Sequence, residues 1–127
     1  MEYRFEKHYT REEAQALLPQ VRQWLQLLNH LRHDLERHDK RLTSLMQPGV
    51  DVGGDLVNTW IRTLAEMQAL LVEFQQRQIQ IKDLERGLVD FPAIIGGKEV
   101  FLCWEQDEAD IEFWHDLDTG YGGRERL

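Results

Sequence analysis

The chain predicts an α+β fold: a long antiparallel, coiled-coil-like helical hairpin carrying a small antiparallel β-meander of three to four strands. Three observations lead there. Apolar residues recur at steps of three and four from Leu17 to Leu45, and again from Val57 to Ile81. After Gly87 the apolar period changes to two. Charge divides at the same place, because residues 83–127 hold 12 acidic and 4 basic side chains while residues 1–82 hold 11 of each.

The elements follow in order. Residues 1–9 read as an N-terminal strand, since Tyr3 and Phe5 alternate with Glu2, Arg4 and Glu6. Residues 10–82 form the helical hairpin. Thr10 and Glu13 have the spacing of a capping box, each able to bond the other's backbone amide. The first seam runs Leu17, Val21, Trp24, Leu28, Leu31, Leu35, Leu42 and Leu45, with His38 as its polar interruption. Pro19 lies inside it and predicts a kink near Gln15, whose carbonyl loses its partner. Gln47-Pro48-Gly49 and Gly53-Gly54 break the helix. A second seam runs Val57, Trp60, Leu64, Met67, Leu71, Phe74, Gln78 and Ile81. Leu18, Leu25 and Leu27, with Leu56, Ile61 and Leu70, widen the stripe beyond what a two-helix seam covers. The extra cover is expected from the C-terminal sheet, from a second copy in a homodimeric four-helix bundle, or from both.

Residues 83–127 form the acidic meander and a glycine-rich C-terminal loop. Leu88–Ile95, Glu99–Trp104 and Ile111–His115 read as strands, with Gly96-Gly97 as a hairpin turn and Glu105–Asp110 as the next connection. Val100 to Trp104 is apolar on both faces and belongs at the centre. Pro92 cannot donate to a ladder, which places its strand at an edge or a bulge.

The whole chain is one domain of 127 residues with net charge −8. That sign disfavours nucleic acid and anionic membrane surfaces as partners. No apolar run reaches the length of a membrane span, and the lone Cys103 suits a reducing, cytoplasmic setting.

Several blocks carry a resemblance. Gln80-Ile81-Lys82-Asp83-Leu84-Glu85-Arg86-Gly87-Leu88-Val89-Asp90-Phe91-Pro92, Val100-Phe101-Leu102-Cys103-Trp104, Phe113-Trp114-His115 and Gly120-Tyr121-Gly122-Gly123-Arg124 are similar to the prokaryotic domain of unknown function 2203 family. The helix start from Tyr9 to Pro19 resembles that family as well. Gln15 stands where the family more often has asparagine, and Arg126 where a proline is usual. The resemblance implies the extent of the domain and brings no activity, ligand or catalytic residue with it.

Two sets of candidate site residues emerge from the acidic end. Asp83, Asp90, Cys103, His115 and Asp116 offer sulfur, nitrogen and oxygen donors for a zinc-like transition metal, although their spacing matches no established ligand motif. The competing assignment makes Cys103 a small buried hydrophobe and His115 a hydrogen-bonded strand residue. Asp90, Trp104, Trp114, His115 and Arg124 are expected to line a small ligand pocket, with the Gly120–Arg124 loop able to wrap a small anion. Against this stand a tail tied down by Tyr121 and Arg124, and tryptophans used as core. The functional expectation is a non-enzymatic cytosolic interaction or ligand-binding module that self-associates through its helices. A metal-binding protein or small metalloenzyme is the alternative.

Overall fold

The computed structural model describes residues 2–45 and 54–127. Two helices, α1 (Arg11–Leu45) and α2 (Gly54–Gln76), precede a five-stranded sheet. Its strands are β1 (Gln80–Asp83), β2 (Leu88–Ile95), β3 (Lys98–Glu105), β4 (Phe113–Asp116) and β5 (Glu125–Arg126). They pair antiparallel in sequence order. The α+β class and the helical hairpin are therefore as the sequence predicts, with one or two more strands. The Gln47–Gly53 part of the predicted break lies outside the described residues.

α1 opens on the predicted capping box. The Thr10 amide donates to the Glu13 carboxylate (2.9 Å) and the Glu13 amide to the Thr10 hydroxyl (3.1 Å). The helix then runs unbroken through Pro19. Trp24 meets Phe74 edge-on at 5.5 Å between ring centroids, and the Trp60 indole donates to Asp39 at 2.6 Å. These contacts set an antiparallel register that brings Leu31 level with Met67 and Leu28 level with Leu70.

The buried residues of α1 are Ala14, Leu18, Val21, Leu25, Leu28 and Leu31. Leu18 and Leu25, which lie off the heptad seam, join a core containing Val89, Phe91, Ala93, Val100, Leu102 and Trp104. The sheet therefore supplies much of the cover that the widened stripe demands. It reaches only part of the hairpin: no residue of α1 beyond Leu31 is buried, and on α2 only Thr63 and Phe74 are.

Three boundaries depart from expectation. First, α2 stops at Gln76 rather than continuing to residue 82. Gln78 takes the left-handed conformation at φ 56°, the Gln78 amide donates to the Gln75 carbonyl (3.1 Å), and the Ile79 amide donates back to the Phe74 carbonyl (3.1 Å). This is a Schellman end, completed by burial of both Phe74 and Ile79. The heptad spacing from Phe74 to Ile81 misled because Ile79 and Ile81 obey a strand period equally well. Ile81 pairs with Val89.

Second, residues 1–9 contain no strand among those described. Their amides are taken by side chains instead: Arg4 and Phe5 donate to the Glu99 carboxylate, and Glu6 and Lys7 to the Gln78 side-chain carbonyl. The segment is a strap, tied to backbone at the Tyr9 amide, which donates to the Pro92 carbonyl at 2.7 Å.

Third, β2 lies inside the sheet, yet β1 ends opposite Asp90. The stretch with Pro92 is thus a local edge. Its carbonyl points outward to Tyr9, and its missing N–H would have pointed the same way, so the β2–β3 ladder loses nothing. The turn at Gly96-Gly97 forms as predicted, with φ of 60° and 80°.

Candidate functional site

Side chains alternate across a strand, so the sheet has two dissimilar faces. Val89, Phe91, Ala93, Val100, Leu102, Trp104 and Trp114 pack against the helices. The opposite face carries Asp90 on β2, Phe101 and Cys103 on β3, and Phe113 and His115 on β4. Asp90 is the cross-strand partner of Cys103, and His115 that of Phe101. Register alone therefore brings Asp90, Cys103 and His115 into one patch.

Donor atoms of these three residues all lie within 4.8 Å of one another. Each residue is about 1% exposed. His115 Nε2 is 2.9 Å from Asp90 Oδ2, and His115 Nδ1 is 2.7 Å from the backbone oxygen of Asp116. A carbonyl can only accept, so Nδ1 carries a hydrogen. Nε2 then faces a carboxylate oxygen, and a proton or another cation must sit between them. Asp90 Oδ1 is buried with no hydrogen-bond partner. Burial pushes the Asp90 carboxyl above its ordinary range, against the opposing pull of His115 and Lys82. The Cys103 thiol is pushed up to about 12, first by burial and then by the neighbouring Asp90.

The cluster is roofed from two sides. Phe5 of the N-terminal strap meets Phe101 edge-on at 5.3 Å, and Phe101 leans on the His115 ring at 5.5 Å. From the other side Arg124 lies over Phe113 (3.7 Å to the centroid) and against Tyr121 (4.6 Å). Its Nη1 is 3.9 Å from Cys103 Sγ, and its Nη2 is 2.5 Å from Glu108 Oε2. Arg124 thus turns inward, with Glu108 holding its charge beside the thiol.

Not every sequence candidate joins the patch. Asp83 caps the following turn by accepting the Arg86 amide at 3.1 Å. The Asp116 carboxylate sits 2.7 Å from Lys98 Nζ, and only its backbone oxygen reaches the site. The five-residue pocket of Asp90, Trp104, Trp114, His115 and Arg124 is not assembled, because both tryptophans belong to the helix-facing side. The reason is parity: Trp104 follows Cys103 and Trp114 precedes His115, so each points to the other face.

Sequence reasoning missed Glu108, Phe5 and Lys82 as neighbours of the site. It also missed how the acidic connection is anchored. Arg11 donates to the Ile111 carbonyl, Gln15 bonds both the Ile111 amide and Asp110, and Arg22 reaches the Gln106 and Glu108 carbonyls. The Trp104 indole donates to the Glu108 carbonyl at 2.9 Å. Only contact between α1 and a loop some 90 residues later reveals these partners.

Fold and site together define a small α+β protein with a helical hairpin on one face of its sheet and a buried Asp–Cys–His cluster on the other. The chain belongs to the family described as Uncharacterized conserved protein (DUF2203), whose sequence model matches residues 7–127. No curated protein and no solved structure matches it.

Proposed function

We propose that this protein binds a transition metal ion of zinc type through Asp90, Cys103 and His115. The observation that supports the reading most is the convergence of three different donors, all buried, within 4.8 Å. Thiolate, imidazole and carboxylate together suit a borderline-soft ion and select against calcium or magnesium. A carbonyl behind the non-coordinating nitrogen is the usual support for a metal-bound histidine, and the Asp116 oxygen occupies that place. An ion between Nε2 and the carboxylate would replace the proton that their approach requires, and the unpartnered Asp90 Oδ1 offers a second oxygen. Arg124 steadies the charge of an ionised Cys103 from 3.9 Å. Three protein donors leave a fourth position for water or for a small anionic ligand, the condition for Lewis-acid chemistry. We place the protein in the cytoplasm, where a single buried thiol stays reduced.

Elemental analysis of protein purified without a histidine tag tests the reading. One ion per chain is expected in the wild type, with loss in Cys103→Ser and in His115→Gln. A chelator should lower the melting temperature of the wild type alone, since an ion bound to the folded state stabilises it by mass action. Metal-free protein whose melting is indifferent to added zinc and to chelator would leave the cluster as a purely structural polar contact.

A further inference from the structure

The apolar surface of α2 is wider than α1 and the sheet can cover. Thr63, Met67, Leu70 and Phe74 face inward, yet Val57 (37%), Ile61 (51%) and Val72 (41%) stand exposed. With 3.6 residues per turn, Val57, Ile61, Leu64, Ala65, Gln68 and Val72 fall on one side of the helix. The four charged residues of α2, Asp55, Arg62, Glu66 and Glu73, all lie outside that stripe. A solvated helix face normally carries charge, so an apolar, charge-free stripe about 22 Å long marks a contact surface.

We infer that this stripe is the interface of a homodimer, in which α2 packs antiparallel on α2 of a second copy to complete a four-helix bundle. Two observations point to a second copy as the occupant. The stripe is symmetric about the midpoint between Leu64 and Ala65: Val57 and Val72, Ile61 and Gln68, and Leu64 and Ala65 lie at equal distances from it. A two-fold axis through that point maps the stripe onto itself, which is what an isologous interface requires. The charge distribution also fits. Residues 83–127 carry −8, and residues 1–82 sum to zero. Antiparallel packing holds the two α2 C-termini, each leading into an acidic sheet, about 35 Å apart, well beyond the roughly 8 Å screening distance at physiological salt.

Light scattering coupled to gel filtration reads the assembly state. The expected mass is twice that of the 15.1 kDa chain at micromolar concentration. Ile61→Glu places a charge at the centre of the stripe while leaving the monomer's core untouched, and should raise the dimer dissociation constant at least about 100-fold with an unchanged circular dichroism spectrum. Gln68→Leu tests the register, because the two-fold sets residue 68 level with the partner's Ile61: it should lower the dimer dissociation constant several-fold, and that gain should be lost in an Ile61→Ala background. Wild-type protein that stays monomeric through high micromolar concentration, or an Ile61→Glu variant that dimerises like wild type, would overturn the inference. A dimer broken by Ile61→Glu that Gln68→Leu leaves no tighter would overturn the antiparallel register.

Discussion

Replacing His115 by leucine removes the imidazole hydrogen bond to the Asp90 side chain and leaves behind a carboxyl that is 1% exposed. Its other oxygen already lacks a partner. Breaking a buried, hydrogen-bonded pair from one side costs about 3–5 kcal/mol, because the survivor keeps its desolvation penalty without compensation. For a domain of this size that corresponds to a fall of roughly 10–20 °C in melting temperature. The double variant Asp90→Leu/His115→Leu removes both polar groups, and should recover at least half of the loss, since apolar replacement of a whole buried pair is close to neutral. Urea unfolding of wild type, both single variants and the double variant gives the cycle. Working in chelator keeps a bound ion from contributing. A single-variant loss below about 1 kcal/mol, or a double variant whose loss equals the sum of the singles, would show that the two side chains are not coupled and would refute the reasoning.

The raised thiol gives a pH dependence of known sign. The unfolded chain releases the Cys103 proton near its ordinary 9.0, whereas the folded chain holds it up to about 12. The stabilisation is complete below pH 9 and is lost as pH climbs toward 12, at about 1.4 kcal/mol per unit. Urea midpoints of wild type should fall more steeply over that alkaline range than those of Cys103→Ala. At the end of α2, Gln78 holds φ 56° while its side chain accepts the Glu6 and Lys7 amides. Gln78→Ala keeps the strained backbone and loses both bonds, and Gln78→Gly loses only the bonds, so glycine should be the more stable by about 1 kcal/mol in chemical denaturation. On α1, Leu25→Ala opens the core beneath the sheet and should cost about 2–5 kcal/mol. Leu27→Ala, two positions on and 44% exposed, should change the urea midpoint by less than about 0.5 kcal/mol.

Much of this architecture was legible locally. The capping box, the seam of α1, the Gly96-Gly97 turn and the buried central strand are each set by neighbours a few residues apart, and periodicity reports such features faithfully. On α2 it did less well, since Val57 and Leu64 of the expected seam lie on the outward stripe and Thr63 is buried instead. Errors fell where two periods agree or where a distant group intervenes. Ile79 and Ile81 fit helix and strand alike, so the end of α2 was decided by the left-handed turn at Gln78. The strap at residues 2–9 became a strap because Glu99 and Gln78 offered acceptors to its amides.

Local pattern was enough to mark which residues could do chemistry: Asp90, Cys103 and His115 interrupt apolar strands, where polar groups rarely stand without a partner. Alternation also sets Trp104 and Trp114 against them, which the expected five-residue pocket overlooked. The company these three keep was settled by the assembled sheet. Strand register put Asp90 across from Cys103 and His115 on the diagonal, and chain segments from both termini closed over them. Pairing register and long-range closure depend on the packing of the whole sheet against α1, and no window of neighbouring residues contains that information.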